Sequence, residues 1–341
     1  MIAIAGATGT VGSIVARELL RRGEAVRVLV RTEDAATEWR ARGAETVVAD
    51  LTVPNSLNDF CRGADAIVAT ASALLRSGAD TIDTVDVAGN RHLVDAAVRT
   101  GVKRFVFVSA AGASTTSRIA FLRAKAIAEE YVRAKVPSWT ILAPHLLMET
   151  WIELIVGIPV RAGIPVSLVG AGRTLQSFIS AQDVAAFVVA ALGDAAIGRR
   201  LVLGGTLPVS WQEVVEQCRE LVEAPIDVRS LPPGFSFPHI AEPLGRSLAF
   251  IAGALEERDA VIDSAPAYAE FRIEPTPLRS YLVGMLADRR RPFRGQPAAA
   301  PPEGTAFDLP SSFTLGEDPP APPTGESEAS DSKTSTPREK G

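Results

Sequence analysis

The chain has 341 residues, 47% hydrophobic and 22% charged, which allows one large domain or a domain with an appendage around a sizeable core. Its formal net charge of -5 excludes nucleic acid as the main partner, because neutralising phosphates takes a concentrated basic face. Two cysteines, Cys61 and Cys218, and three histidines, His92, His145 and His239, form neither a disulfide framework nor a metal-ligand spacing; no metal is expected, and the thiols read as reduced and cytoplasmic.

Met1 to Ala5 is a short apolar run suited to a buried parallel strand, and it leads into Gly6-Ala7-Thr8-Gly9-Thr10-Val11-Gly12 and a helical pattern from Ser13. Gly6 permits the tight turn, Gly9 lets backbone approach a phosphate, and Gly12 lets the helix pack close to the strand. The free N–H groups and positive end of the helix face that turn, so a dinucleotide diphosphate is expected on Gly6, Thr8, Gly9, Thr10, Val11 and Gly12. Ala25 to Val30 reads as a second strand ending at Arg31. In dinucleotide folds this strand end lies beside the adenosine ribose, where a carboxylate binds the 2′-hydroxyl of NAD and an arginine accommodates the 2′-phosphate of NADP. Arg31 therefore favours NADP(H) over NAD(H), with Glu33 and Asp34 as the counter-signal.

A helix closes over Trp39 to Gly43, and Glu45 to Ala49 is a third strand. Asp50-Leu51 follows it at the sheet edge, where the carboxylate would accept from an adenine amino group and Leu51 would cover the ring. Capping of Thr52 to Ser56 is an equally good account of Asp50. Pro54 to Cys61 reads as a short helix and Ala64 to Ala69 as a fourth strand, after which Thr70 and Ala71 are small enough to let backbone approach a cofactor. Asp83 to Thr100 has the pattern of one long amphipathic helix stopped by Gly101, and Lys103 to Val108 of a fifth strand ending at Ser109. This alternation predicts an α/β fold, a Rossmann-like doubly wound parallel sheet with helices on both faces.

Ala110 to Ile119 is a hydroxyl-rich loop, Phe121 to Lys135 a helix and Trp139 to Leu142 a sixth strand. Beyond Pro144 the pattern loosens into a helix from Ala181 to Leu192, a strand from Arg200 to Leu203 and a helix capped by Ser210. The expected division is a dinucleotide-binding core over 1–150, a small C-terminal lobe over 151–288 and a Pro-, Ser- and Glu-rich tail over 289–341. That tail is too poor in large apolar residues to offset its ordering entropy and reads as disordered, with Phe307–Leu309 and Phe313–Leu315 as its peptide-docking candidates. No targeting segment and no integral membrane segment are expected: Trp151 to Gly170 carries Glu153, Pro159, Arg161 and Pro165, and Leu244 to Leu255 is short and carries Arg246. The latter stretch reads as a packing or oligomer-contact helix.

The order GATGTVG, Arg31, Asp50-Leu51 and GNRHLVDAAVRTGVKRFVFVSAAG from Gly89 resembles the atypical short-chain dehydrogenase/reductases of the NmrA-like group. FLRAKAIAEEYV from Phe121, WTILAPHLLME from Trp139, FISAQDVAAFVVAAL from Phe178 and RIEPTPLRSYL from Arg272 extend the resemblance over most of residues 1–285. It implies NADP(H) binding with the nicotinamide near Ser109, Lys125 and the Pro144-His145 turn. One position departs from the pattern. Active short-chain reductases carry Tyr-x-x-x-Lys, with the tyrosine as general acid and the lysine also holding the nicotinamide ribose. Here the segment is Phe121-Leu122-Arg123-Ala124-Lys125, and Tyr131 falls on another face of the same helix.

Ser109, twelve positions before Phe121, is spaced to polarise a substrate carbonyl or, equally, to bond local backbone. Lys125, flanked by alanines, is the candidate ribose ligand, against the reading of a solvated helix lysine. His145 is either a proton donor or structural. Met148, Trp151 and Phe178 are candidate pocket walls. Two functions survive the missing tyrosine: an NADPH-dependent reductase of quinone-like small-molecule acceptors that takes its protons from water or from Lys125, with Ser109 and Lys125 as its catalytic candidates, and a non-catalytic NADP(H)-binding sensor or assembly factor with a regulatory protein partner.

Overall fold

Alternation along the strands explains the layers. Ile4, Val28, Val30, Val68, Val106 and Leu142 fall in one buried cluster, and their neighbours Ala3, Ala5, Leu29, Ile67, Ala69, Phe105, Phe107 and Ile141 in another. Successive side chains of a strand point to opposite faces, so a sheet apolar at both parities must be covered on both sides. The computed structural model describes residues 1–76, 78–232 and 234–287. The tail expected over 289–341, with both of its docking candidates, lies outside the described residues.

Nine strands are present among the described residues: β1 (Ile2–Ala5), β2 (Val26–Val30), β3 (Glu45–Val48), β4 (Ala66–Ala69), β5 (Arg104–Val108), β6 (Ser138–Pro144), β7 (Val166–Val169), β8 (Arg199–Leu203) and β9 (Val228–Leu231). Seven form one parallel sheet in the order β3-β2-β1-β4-β5-β6-β8, while β7 and β9 pair, also in parallel, as a separate ribbon. The order in which strands are added reverses between β1 and β4: β2 and β3 lie to one side of β1, and β4 onward to the other. That reversal opens a crevice at the carboxyl ends of the strands, where ligands bind in such folds.

One face of the sheet carries α1 (Thr10–Arg21) and α2 (Glu33–Arg40), and the other α3 (Leu57–Cys61), α4 (Asn90–Arg99) and α5 (Ala120–Lys135). The helix expected over Asp83–Thr100 is split. Ile82–Gly89 winds as a π-helix and only α4 is α-helical, with Thr81 and Thr84 closing a capping box at the start. The wide turns set Gly89 against Leu51, where an added Cβ would lie 3.0 Å from the leucine Cβ, and they carry Asp86 into full burial.

After β6 the chain builds α6 (Met148–Ile152), a π-helical turn over Glu153–Gly157, α7 (Ile158–Ala162) and β7, all packed in a third apolar cluster. It then returns to the main sheet as α8 (Ala181–Ala190) and β8, so residues 181–203 belong structurally with the first 150. The side chain of Ser180 caps α8 by accepting from the Gln182 and Asp183 amides. α9 (Trp211–Val222), capped by Ser210 as expected, α10 (Leu244–Leu255) and α12 (Leu278–Ala287) complete the lobe, whereas α11 (Ala265–Phe271) sets Tyr268 against the main-sheet cluster. Leu244 to Leu255 is thus a packing helix, burying Leu244, Leu248, Ile251 and Ala252. No helix among the described residues is long and apolar enough to cross a membrane, and no group of three His, Cys, Asp or Glu side chains is placed to hold a metal ion.

Candidate functional site

The turn after β1 is shaped by what it excludes. Gly6 has φ +98°, and a Cβ there would sit 2.5 Å from Thr70 Oγ1; a Cβ at Gly12 would lie 2.2 Å from the Gly6 carbonyl oxygen. Both contacts are impossible for any other residue without backbone movement. Gly9, whose added Cβ would stand 3.3 Å from Gly6 O, is the N-cap of α1 and has no side-chain cap. The first-turn amides of α1 therefore keep their donors for a ligand, with the positive end of the helix behind them. A cradle closed to side chains, tiled with free N–H groups and ringed by small residues fits a dinucleotide diphosphate.

From this turn a cleft of about 640 Å³ runs along the carboxyl ends of the strands, as the switch point requires. Every residue expected at the cofactor or catalytic site lines it: Gly6, Thr8, Gly9, Thr10, Val11, Gly12, Arg31, Asp50, Leu51, Thr70, Ala71, Ser109, Lys125, Pro144 and His145. At one end Arg31 Nη1 lies 2.5 Å from Asp80 Oδ2, and Arg76 reaches the same oxygen at 3.6 Å. Burial and the neighbouring Arg31 charge both push the Arg76 guanidinium pKa down, against the pull of Asp80 and Asp50. Glu33 does not turn inward: it pairs with Arg40, and neither it nor Asp34 lines the cleft. Asp50 Oδ1 accepts from both the amide and the hydroxyl of Thr52, at 2.7 Å each, which is the capping role; Leu51 is buried on the cleft wall.

At the other end Lys125 is no solvated lysine. Its side chain is 3% exposed, its Nζ stands 3.1 Å from Asp86 Oδ1, and the rings of Phe107 and Phe121 flank it at 5.2 and 5.4 Å. Asp86 Oδ2 accepts from the Ala73 amide at 2.8 Å. Phe121 itself lines the cleft, so a benzene ring stands where the usual pattern places a phenol. Ser109 donates its hydroxyl hydrogen to Glu129 Oε1 at 2.5 Å, not to backbone, and turns only lone pairs to a ligand. Glu129 is fixed in turn by Arg133 and Arg200 at Oε2.

His145 bonds Gln176 through Nε2 at 2.9 Å. Gln176 spends its amide hydrogens on Thr174 Oγ1 and the Leu255 carbonyl, so its Oε1 is the acceptor and the Nε2 of His145 carries the proton. Burial lowers the imidazole pKa, only partly countered by Gln176, leaving a neutral ring whose single N–H is occupied. No tyrosine lines the cleft: Tyr131 donates to Asp95, Tyr268 to Asp183 and Tyr281 to the Met148 carbonyl. Of the candidate walls Trp151 lines the cleft with Leu74, Leu75 and Leu147, while Met148 and Phe178 are packed in the lobe core.

The sequence reading missed Arg76, Asp80, Asp86 and Glu129. Glu129 carried a signal, since it follows Lys125 by four and precedes Arg133 by four, one stripe of α5. Asp86 carried a weaker one, a charge on the apolar face of its helix. Arg76 and Asp80 lie in a loop without periodicity.

Residues 6–195 match the family described as NAD(P)H-binding, more than half of the chain. The chain belongs to this NAD(P)H-binding family. Among its relatives is a Photosystem II assembly factor Ycf39 of Trieres chinensis, 30% identical over 230 residues, 67% of this chain and 71% of the relative. The NADPH-dependent quinone oxidoreductase QOR2 of Escherichia coli, solved with NADPH, has the same fold: TM-score 0.70 over 84% of this chain and 99% of that one, at 18% identity. So does a triphenylmethane reductase of Citrobacter sp. complexed with NADP(H), with a TM-score of 0.68, 21% identity and coverage of 84% and 99%. The Rossmann-like, doubly wound parallel sheet that the motifs implied is the architecture present.

Proposed function

We propose that this NAD(P)H-binding protein is an NADP(H)-dependent reductase that passes a hydride to an apolar, quinone-like acceptor. The observation that carries the reading is the pairing of Phe121 with Lys125 at the inner end of the cleft, beside a wall of Leu74, Leu75, Leu147 and Trp151. A coenzyme bound with its diphosphate on the Gly6–Gly12 turn supplies the hydride. The chain's own residues would hold it: the α1 amides would take the diphosphate, Lys125 would donate to the ribose hydroxyls, and the apolar wall would receive a flat acceptor and keep water from its face. Arg31, at the end of β2 and on the cleft, would meet a 2′-phosphate, which supports NADP(H) over NAD(H).

The acceptor class follows from proton supply. A ketone reduced to an alkoxide needs a proton in the transition state; Phe121 has none to give and the hydrogens of Ser109 and His145 are engaged, which leaves the Lys125 ammonium, already paired with Asp86, or water. A reduced quinone leaves its charge on phenol-type oxygens with a pKa of about 10, which water protonates.

The test is NADPH oxidation by the purified chain against a panel of quinones and carbonyls. Turnover with quinones and not with simple ketones is expected. Tight NADPH binding with no turnover on any acceptor would overturn the enzyme reading and leave the second one, a binding-only redox sensor or assembly factor. That second reading is favoured by the missing acid and by the likeness to an assembly factor. Arg31→Ala should weaken NADPH far more than NADH; equal losses would remove the coenzyme assignment.

A further inference from the structure

The cleft end at Arg31 holds more than one cation. Arg31 and Arg76 converge on a single oxygen, Asp80 Oδ2, at 2.5 and 3.6 Å, and all three side chains line the cleft. They come from separate segments, the end of β2 and the loop after β4, which meet because β2 and β4 flank β1. Two guanidinium groups drawn this close to one oxygen repel; burial lowers the Arg76 pKa, and the Arg31 charge lowers it further. An anion between them relieves that repulsion. In the chain alone that anion is the Asp80 carboxylate.

We propose that Arg31 and Arg76 together form the seat of the adenosine 2′-phosphate, and that Asp80 is the chain's own anion in that seat, displaced when the phosphate enters. This deepens the NADP(H) reading and rests on it. A phosphomonoester carries more charge than a carboxylate, about -1.5 to -2, and has three acceptor oxygens, so each guanidinium gains a full partner instead of sharing one oxygen. A coenzyme without the 2′-phosphate leaves the Arg31–Asp80 pair closed and gains nothing from either arginine. Asp80 is thereby a specificity-determining residue: it charges the 2′-phosphate for entry and keeps Arg31 satisfied when that phosphate is missing. The 42%, 38% and 17% exposures of Arg31, Arg76 and Asp80 place the exchange at the cleft mouth, where neither partner is trapped.

The probes are adenosine 2′,5′-bisphosphate and adenosine 5′-monophosphate, which differ only in the 2′-phosphate, titrated calorimetrically into the full chain. Wild type should prefer the bisphosphate. Arg76→Gln should weaken the bisphosphate about tenfold or more, the size of a lost charge-assisted hydrogen bond, and leave the monophosphate within about twofold; Arg76→Lys should recover part of the loss. Asp80→Asn should tighten the bisphosphate about three- to tenfold, a gain that shrinks as salt is raised. Exposed pairs contribute little to stability, so the variants should melt with wild type. If Arg76→Gln keeps the full preference, or Asp80→Asn weakens the bisphosphate, the proposal is wrong while the NADP(H) reading survives on Arg31. If wild type binds both probes equally, the NADP(H) reading and the proposal fall together.

Discussion

Replacing Lys125 by Met separates what that lysine does for the fold from what it does for the cofactor. The ammonium and the Asp86 carboxylate are 3.1 Å apart, with side chains 3% and 0% exposed, so both are almost wholly buried. Methionine keeps the chain length and its contacts with Phe107 and Phe121, but it leaves Asp86 as a buried carboxylate with one donor, the Ala73 amide. Breaking a buried pair from one side costs about 3–5 kcal/mol, which for a protein of this size lowers the melting temperature by roughly 10 °C. The double variant Lys125→Met/Asp86→Asn removes the orphaned charge and keeps an oxygen for the Ala73 amide, so most of that loss should return. Cofactor affinity should not. The proposed ribose ligand is missing in both variants, and each should bind NADPH at least about tenfold more weakly than wild type. Urea denaturation and calorimetric titration of the three proteins read the two effects apart. A single variant within 1 kcal/mol of wild type would refute the buried-pair argument; a double variant with wild-type NADPH affinity would refute the ribose role of Lys125.

The Gly6–Gly12 turn and the buried imidazole give two further tests. Gly12→Ala forces a methyl to 2.2 Å from the Gly6 carbonyl oxygen, so it should destabilise the chain by about 1–3 kcal/mol and abolish the NADPH-induced rise in melting temperature; a rise equal to that of wild type would show that the turn is not the diphosphate seat. Burial lowers the His145 pKa below its unfolded value of about 6.5, so the unfolded state takes up a proton first on acidification, and stability present above pH 6.5 drains away as pH falls toward the folded pKa. His145→Asn should flatten that acid-side loss in melts between pH 7 and 5, and a curve parallel to wild type would remove His145 as a contributor.

What the sequence reveals here depends on how local its cause is. The Gly6–Gly12 turn, Arg31 at a strand end and the strand–helix alternation are each fixed by short-range rules, and all lie where the spacing placed them. Lys125 was legible for the same reason, four residues after Phe121 on one helix. Its partner was less so: Asp86 falls on the apolar stripe of what reads as an ordinary α-helix, a weak signal of burial, and nothing in that pattern marks the π-helical turns or names Lys125 as the group it meets. Ser109 shows the same limit. Its place at the end of β5 is local, but the direction of its hydroxyl is set by Glu129, itself held by Arg200 from β8, 71 positions on. Arg76 and Asp80 became visible only when the sheet order brought their loop beside β2.

The same geometry bears on where the reaction's proton comes from. Among the groups lining the inner cleft the Lys125 ammonium is held by Asp86, the Ser109 hydroxyl by Glu129 and the His145 N–H by Gln176. Ser109 and His145 each spend their single hydrogen in these bonds, whereas the Lys125 ammonium has three and keeps hydrogens for a ribose, so on the proposed reading the site places a flat acceptor without a side chain dedicated to protonating it. Phe121→Tyr tests this by adding back a phenol on a ring 5.4 Å from the Lys125 ammonium, a change of one oxygen. If water protonates the reduced acceptor, quinone turnover should change less than about twofold, since an acid that is not rate-limiting confers nothing, while reduction of a carbonyl substrate should gain toward the hundredfold or more that a positioned acid contributes. NADPH oxidation by the two proteins across the same acceptor panel, at matched coenzyme occupancy, measures both. A hundredfold rise with quinones would mean that proton delivery limits the native protein, and the assignment of the acceptor class from the unassisted proton would be wrong.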